Sequence, residues 1–302
     1  GYDWAIHVCP HELFHVFQLS EQGYREAIAM DHSLGFWWKE GTADWVTRIA
    51  YPDHPDQTTI DSGALYLRSP HYSIAYFNGW DSWYDEKSPE TYFGKRFYGT
   101  WLFAWYMTRI LGNDIIKESW LDGEIFTNSL HYLERNLKAQ GIELFNLFAD
   151  FAAWTVHLDG LAIASDLIQE RDQAMVAYNY SITANFNDTK SGWQQVPENL
   201  RPQAYAFNVI KWQNPNASAN EAVFNFVADP TGSLGSNSQF QIRIIKKYAD
   251  RHSVSSVPVS ELTSYTKIDL RQVEILYFVF ITGKGNIPDR ETFSYQYKVQ
   301  PK

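Results

Sequence analysis

The sequence is poor in cysteine, lacks an excess of positive charge and contains no long apolar run. Its single cysteine, Cys9, excludes an internal disulfide framework without fixing the cellular compartment. Cys9 itself is expected to be a small buried apolar residue. The formal net charge of -10 provides no basic surface to neutralise phosphates, so nucleic acid is not an expected partner. Runs such as Ile275–Ile281 are far shorter than the roughly 20 residues of a membrane span.

The remaining composition is that of a globular protein with enough material for one large or two ordinary domains. Of the 302 residues, 45% are hydrophobic, which suffices to bury a sizeable core. Aromatic residues make up 17%, so most of them are expected to pack in that core rather than form a carbohydrate platform.

The spacing of apolar residues changes along the chain and predicts two structural classes. Up to about residue 175 the apolar residues recur every three or four positions, as in helices, and beyond it they alternate, as in strands. The sequence therefore predicts an α+β chain, with a mainly α-helical portion over residues 1–175 and an all-β, sandwich-like module over residues 176–302. The helices are predicted at Ala5–Leu19, Phe36–Ala50, Arg96–Leu111, Ser129–Ala139 and Ile142–His157. The strands are predicted at Tyr178–Phe186, Phe240–Ile244, Ile275–Ile281 and Phe293–Val299.

One long stretch, residues 51–95, follows neither period. It is rich in proline, aspartate, serine, glycine and aromatic residues. Loops of that length inside a domain are usually lids or binding walls, so we expect it to be a functional loop.

The first predicted helix carries the strongest chemical signal, the motif H-E-x-x-H from His11 to His15. Two histidines four residues apart lie on one face of a helix about one turn apart, so both can bind the same ion. A catalytic zinc keeps three protein ligands and one open position, and the motif therefore needs a third donor. Glu12 is placed to accept the proton of an attacking water. The other histidines, including His7, lack ligand-like spacing and are assigned to core or surface.

The second predicted helix offers the missing ligand. Glu40 lies beside Gly41 and Ala43, whose small side chains would allow a close approach to the first helix. Asp44 follows one turn later on the same face and could accept the second ring N–H of a ligand histidine. The alternatives are a metal-free buried cluster, a helix-start carboxylate for Glu40 and a solvated acid for Asp44.

The two segments resemble the gluzincin metallopeptidases, in which H-E-x-x-H is followed by a glutamate on a downstream helix. The segments from His11 to Gln18 and from Trp38 to Ala43 are similar to those of bacterial collagenases and of uncharacterised secreted bacterial peptidases. The resemblance implies that His11, His15 and Glu40 bind Zn²⁺ and that Glu12 is the general base. It is strong over about residues 1–50 and loose to about residue 160.

The same resemblance implies a downstream proton donor that stabilises the oxyanion of the tetrahedral intermediate. Tyr98, in an aromatic stretch similar to the tyrosine-then-helix segment of aminopeptidase-like gluzincins, is the preferred candidate. Tyr92, His71 and Tyr72 remain open, and the alternative for Tyr98 is a tyrosine of the core.

The expected function is therefore zinc-dependent hydrolysis of peptide bonds in extracellular proteins. Gluzincins have a sheet before the motif helix, whereas ten residues precede His11 here, so an upstream segment of the same precursor is an expected partner. The resemblance and the β module suggest a secreted or cell-surface protein of bacterial origin. Two alternatives stay open: a glycoprotein-directed peptidase of the mucin-cleaving or enhancin type, and a catalytically vestigial surface or assembly protein.

Overall fold

The chain has an α+β fold in which helices precede two antiparallel sheets. The computed structural model describes residues 2–20, 35–52, 57–75, 95–121, 129–178, 192–213, 219–228, 239–260, 263–283 and 291–302. Within these ranges, no helix combines the length and apolar character needed to cross a membrane.

The helical part begins with the helix that carries the H-E-x-x-H motif. The α-helices are α1 Tyr2–Ser20, α2 Phe36–Ala50, α3 Gln57–Arg68, α4 Trp101–Leu111, α5 Asp114–Trp120, α6 Ser129–Ala139, α7 Leu144–Trp154 and α8 Ala164–Tyr178. Two short 3-10 helices, Lys95–Thr100 and Glu198–Leu200, complete the helical elements of the described residues.

The β part consists of two four-stranded sheets whose neighbouring strands are all antiparallel. The strands are β1 Gln194–Gln195, β2 Ala206–Gln213, β3 Glu221–Ala228, β4 Phe240–Lys247, β5 His252–Val257, β6 Thr263–Asp269, β7 Ile275–Thr282 and β8 Tyr295–Pro301. One sheet has the order β1-β8-β3-β6 and the other β2-β7-β4-β5. Strand β7 pairs with β2 and β4 along its whole length.

The chain divides into two compact units. Unit 1 comprises Gly1–Ser69, Ile74–Leu147 and Asp159–Ala177, and unit 2 comprises Pro70–Ser73, Phe148–Leu158 and Tyr178–Lys302.

Unit 2 is held by one hydrophobic core that both sheets supply. Phe224 of β3 stacks on Phe278 of β7, and Phe226 of β3 stacks on Phe280 of β7, with ring centroids 4.8 and 5.6 Å apart. These four rings are fully buried, and β7 is buried on both faces because Val279 and Ile281 are buried as well. An ion pair between the buried Arg243 and the exposed Asp150, 2.8 Å apart, links the β4-containing sheet to the helical segment of the same unit.

Unit 1 is organised around tryptophans of α2 whose polar atoms reach neighbouring elements. Trp38 Nε1 donates to Ser119 Oγ at 3.0 Å, and Trp45 Nε1 donates to Thr108 Oγ1 at 3.1 Å. Thr100 Oγ1 in turn donates to the carbonyl of Trp37 at 2.9 Å. Because these bonds fix α2 against the helices that follow it, the acidic residues of α2 have little freedom to move.

Several predicted elements are confirmed. Helices α2 and α6 have the predicted bounds, and strands β4, β7 and β8 lie where the alternation placed them. The predicted helix from Arg96 is a 3-10 helix up to Thr100 and becomes α-helical only at Trp101.

Other predictions are wrong. Helix α3 lies inside the stretch predicted as a loop, and Tyr178 ends helix α8 instead of opening a strand. The rest of that predicted strand and residues 76–94 of the predicted loop lie outside the described residues. Cys9 is exposed, whereas the sequence suggested a buried side chain.

Candidate metal centre

Helix α1 presents a polar face to the interior of unit 1. His7, His11 and Gln18 are buried, and these positions are four and seven residues apart along one face. The opposite face is exposed, with Leu13 at 70% and Val16 at 60% of full accessibility. The apolar residues of α1 predict a helix buried on most sides, but this prediction is wrong, because the buried stripe is the histidine face and residues such as Leu13 and Val16 face solvent.

The side chains of His11, His15 and Glu40 converge on one point. His11 Nε2 lies 3.2 Å from Glu40 Oε2, and His15 Nε2 lies 3.3 Å from the same oxygen. The two Nε2 atoms are 3.0 Å apart. Two ring nitrogens and a carboxylate oxygen thus point at each other in a site where Glu40 is only 4% exposed.

This geometry fits a zinc ion. A tetrahedral zinc with ligands at about 2.0–2.1 Å separates neighbouring ligand atoms by about 3.3–3.4 Å, close to the three observed distances. A single proton between the Nε2 atoms and the carboxylate can serve only one hydrogen bond, whereas a divalent cation attracts all three atoms at once. His11, His15 and Glu40 are therefore the residues that could hold a metal ion.

The outer nitrogen of His11 is held by Asp44, one turn after Glu40 on α2. His11 Nδ1 donates to Asp44 Oδ1 at 2.7 Å, which directs Nε2 at the site. Asp44 is 1% exposed, so the alternative of a solvated helix acid is excluded. His7 Nε2 approaches the same oxygen at 3.5 Å, and His7 Nδ1 lies 3.3 Å from Thr59 Oγ1.

His7, His11 and Asp44 form a second group whose ligand atoms lie within 4.8 Å of one another. Because Asp44 already accepts the Nδ1 proton of His11, we assign this group to support of the first. Sequence reasoning missed His7, although its spacing of four residues from His11 repeats that of the motif.

The outer nitrogen of His15 is held by Gln18, a contact that sequence reasoning also missed. His15 Nδ1 donates to Gln18 Oε1 at 2.6 Å. The Gln18 amide donates in turn to the carbonyl of Lys39 and to Thr42 Oγ1, both at 3.1 Å. Gln18 is fully buried, so its side chain is fixed by α2 and fixes His15 in the same tautomer as His11.

The two buried carboxylates attract positive charge to the group. Burial alone would lower the pKa of His11, but hydrogen bonds and attraction from Asp44 and Glu40 outweigh burial and raise this pKa to about 9. Burial opposes ionisation of Glu40, yet hydrogen bonds from His11 and His15 hold its pKa well below the usual value. Lys39 Nζ contacts the other Glu40 oxygen at 3.0 Å and directs Oε2 towards the histidines.

Tyr98 lies beside this group on the 3-10 helix Lys95–Thr100. Its ring centroid is 5.9 Å from that of His11, and its side chain is half-buried. Burial and the nearby carboxylates of Glu40, Asp44 and Glu12 raise the Tyr98 pKa well above its usual value. Tyr98 therefore keeps its hydroxyl proton at neutral pH. The exposed side chain of Glu12 is close enough to contribute to this effect, so both predicted catalytic residues lie near the metal group.

Two glycines allow the Tyr98 segment to lie against its neighbours. A Cβ at Gly99 would lie 2.1 Å from the carbonyl oxygen of Ser62, and a Cβ at Gly41 would lie 2.2 Å from Thr100 Oγ1. Gly41 thus permits the close approach of the Tyr98 segment to α2, whereas the sequence suggested an approach of α1. Both contacts are too close for any larger residue.

The other candidate oxyanion donors do not belong to the described part of unit 1. His71 and Tyr72 belong to unit 2, where their rings contact each other with centroids 4.3 Å apart. The backbone carbonyl of His71 accepts a hydrogen bond from the backbone N–H of Gln203 at 2.8 Å. Tyr92 lies outside the described residues.

Replacement of Gln18 by leucine should weaken zinc binding, because His15 would lose the acceptor that orients its ring. The dissociation constant should rise by about 10–100-fold, the usual effect of losing such a partner. Competition with a chromophoric chelator measures the change. Gln140→Leu, at an exposed position, is the matched control and should leave the constant unchanged. Equal affinities in the two variants would contradict the assigned contact.

Zinc binding should release about one proton at neutral pH. Below its metal-free pKa of about 9, His11 carries a second ring proton on Nε2. A bound metal must displace that proton. Zinc affinity should therefore fall as the pH is lowered from about 9, by roughly tenfold per pH unit. Calorimetric titrations with zinc in two buffers of different ionisation enthalpy measure the proton release directly. Heats that do not depend on the buffer would contradict this protonation state.

Comparison with known proteins places the site inside a recognised family. Residues 4–228, which include His11, His15, Glu40 and Tyr98, match a family of unknown function, DUF6055. No curated protein matches the chain. Because the match covers most of the sequence, this chain belongs to the DUF6055 family.

Proposed function

We propose that the chain is a zinc-dependent peptidase that hydrolyses peptide bonds in proteins outside the cell. The observation that supports it most directly is the convergence of His11 Nε2, His15 Nε2 and Glu40 Oε2, with mutual distances of 3.0–3.3 Å. Both histidines have their outer nitrogens engaged, so their inner nitrogens are directed at the same point. Such an arrangement is typical of a catalytic zinc site with three protein ligands.

In this proposal, His11, His15 and Glu40 hold a zinc ion, which when bound polarises the scissile carbonyl and acidifies water. Glu12 follows the first ligand on α1 and is exposed, so water and substrate can reach its carboxylate. It accepts the proton of the attacking water and later returns it to the leaving amine. Tyr98 keeps its proton because its pKa is raised, and its hydroxyl donates a hydrogen bond to the oxyanion.

The finer arrangement that we propose is gluzincin-like for unit 1 and a β-sandwich for unit 2. The order of H-E-x-x-H helix, glutamate helix and tyrosine segment supports the first. The stacked aromatic rings of the two sheets support the second. In the same proposal the protein is secreted or attached to the cell surface, and its substrate is a protein or peptide.

Two variants separate metal binding from catalysis. Glu12→Gln should retain one zinc per chain and lose nearly all hydrolysis of a fluorescent casein substrate, because no carboxylate accepts the proton. Glu40→Gln should lose both zinc and hydrolysis, because the charged ligand is gone. Glu118→Gln, at an exposed position of α5, is the matched control and should keep both properties. Elemental analysis and the casein assay are measured on the same preparations.

The outcomes distinguish the alternatives. A wild-type chain that binds zinc but hydrolyses neither casein nor the glycoprotein mucin would favour a vestigial site. Hydrolysis of mucin that is lost after enzymatic deglycosylation would favour the glycoprotein-directed peptidase. Hydrolysis that persists in Glu12→Gln would contradict the proposed base.

Replacement of Tyr98 by phenylalanine tests the oxyanion donor. The ring and its contact with His11 remain, so zinc content should not change. The turnover number should fall by about 10²–10³-fold, the usual effect of removing one such donor, with a smaller change in KM. Steady-state kinetics on a fluorogenic peptide measure both constants. A turnover number within a few-fold of the wild type would assign Tyr98 to the core instead.

A further inference from the structure

Unit 2 contains an open pocket in its β1-β8-β3-β6 sheet region that the proposed peptidase site does not use. Its volume is about 440 Å³, within the range of about 300–1,000 Å³ that is common for small-molecule sites. The wall includes Trp193, Asn225, Thr263, Ser264 and Tyr265, all of which belong to unit 2.

The strand register places the key side chains in one row on the outer side of this sheet. Asn225 pairs with Lys298 of β8 and with Tyr265 of β6. Its neighbour Phe226 points into the core, and successive side chains of a strand alternate, so Asn225 and its partners point outwards. Trp193 directly precedes β1, which pairs with β8 on the side of β8 away from β3.

Two aromatic side chains of the pocket remain open to solvent. Tyr265 is 59% and Trp193 is 46% exposed, so much of the apolar surface of both rings faces water. Single exposed apolar residues need no explanation, but two large rings in one pocket are typical of a binding surface.

The polar part of the wall is neutral. Asn225 supplies an amide, and Ser260 and Thr263 supply hydroxyls. Ser264 pairs with Phe226 and therefore lies on the core side of β6, so Asn225, Ser260 and Thr263 are the polar groups available to a ligand. The wall itself contains no charged residue, and Lys298, the outward-facing partner of Asn225, is the nearest cation in the row, so neutral groups dominate the contact surface.

We propose that this pocket binds a neutral carbohydrate. The apolar C–H face of a pyranose ring matches the faces of Trp193 and Tyr265, and its hydroxyls match the amide and hydroxyl groups between them. Unit 2 would thereby attach the chain to a glycan or to a glycosylated surface. This binding does not depend on the zinc site.

Affinity gel electrophoresis of the whole chain tests the proposal. The gels contain a neutral soluble polysaccharide: xylan, glucomannan, mixed-linkage β-glucan or glycol chitin. At least one of them should retard the wild-type chain. Trp193→Ala and Tyr265→Ala should each raise the dissociation constant by about tenfold or more, and Trp193→Phe should lose less because it keeps an aromatic face.

Two control variants make the test specific. Val254→Ala removes an exposed apolar side chain from β5 of the other sheet and should bind as the wild type does. Glu12→Gln should also bind normally, since Glu12 belongs to unit 1 and every residue of the pocket wall belongs to unit 2. Unchanged melting midpoints would show that the aromatic variants remain folded.

Absence of retardation by all four polysaccharides would overturn the proposal. So would retardation that persists in the double variant of Trp193 and Tyr265. An extended peptide could instead pair with β6, which is an edge strand of the sheet as far as the described residues go. Binding of labelled, unglycosylated casein peptides that depends on Trp193, with no binding of polysaccharide, would assign the pocket to a peptide.

Discussion

Two carboxylates and two imidazoles that are almost completely removed from water must satisfy one another, and the rest of unit 1 is arranged to hold them together. Glu40 and Asp44 lie on one face of α2, opposite His11 and His15 on α1. Buried charges are expensive unless each has a partner with good geometry. Here each carboxylate contacts a histidine. A cation would bind between Glu40 Oε2 and the Nε2 atoms of the two histidines.

The precision of this arrangement comes from residues that do no chemistry. Gln18 is fixed by α2 and in turn orients His15. Trp38 anchors α2 to Ser119 on a later helix, so Glu40 is presented by a rigid element. Gly99 lets the Tyr98 segment approach α3 at backbone distance. A functional group is placed reliably only when its supporting contacts are themselves fixed.

The sequence predicted what depends on local spacing and missed what depends on neighbours. The histidine pair was visible because both residues lie on one helix face, and Glu40 was added by resemblance. Helix α3 was missed because it buries small residues such as Thr59, Ser62 and Gly63, which give a weak apolar period. The role of Gln18 in orienting His15 could not be predicted from the sequence of α1 alone, because the residues that hold the Gln18 amide lie on α2. Likewise, the apolar residues of α1 do not reveal which of them face solvent.

The central claim for this member of a family of unknown function is that α1 and α2 form one zinc site. X-ray absorption at the zinc edge, on the chain with one equivalent of zinc, tests it most directly. We expect two imidazole nitrogens and oxygen ligands at about 2.0–2.1 Å, with one imidazole lost in His15→Ala. A zinc surrounded by oxygen alone, or a spectrum unchanged by His15→Ala, would contradict it.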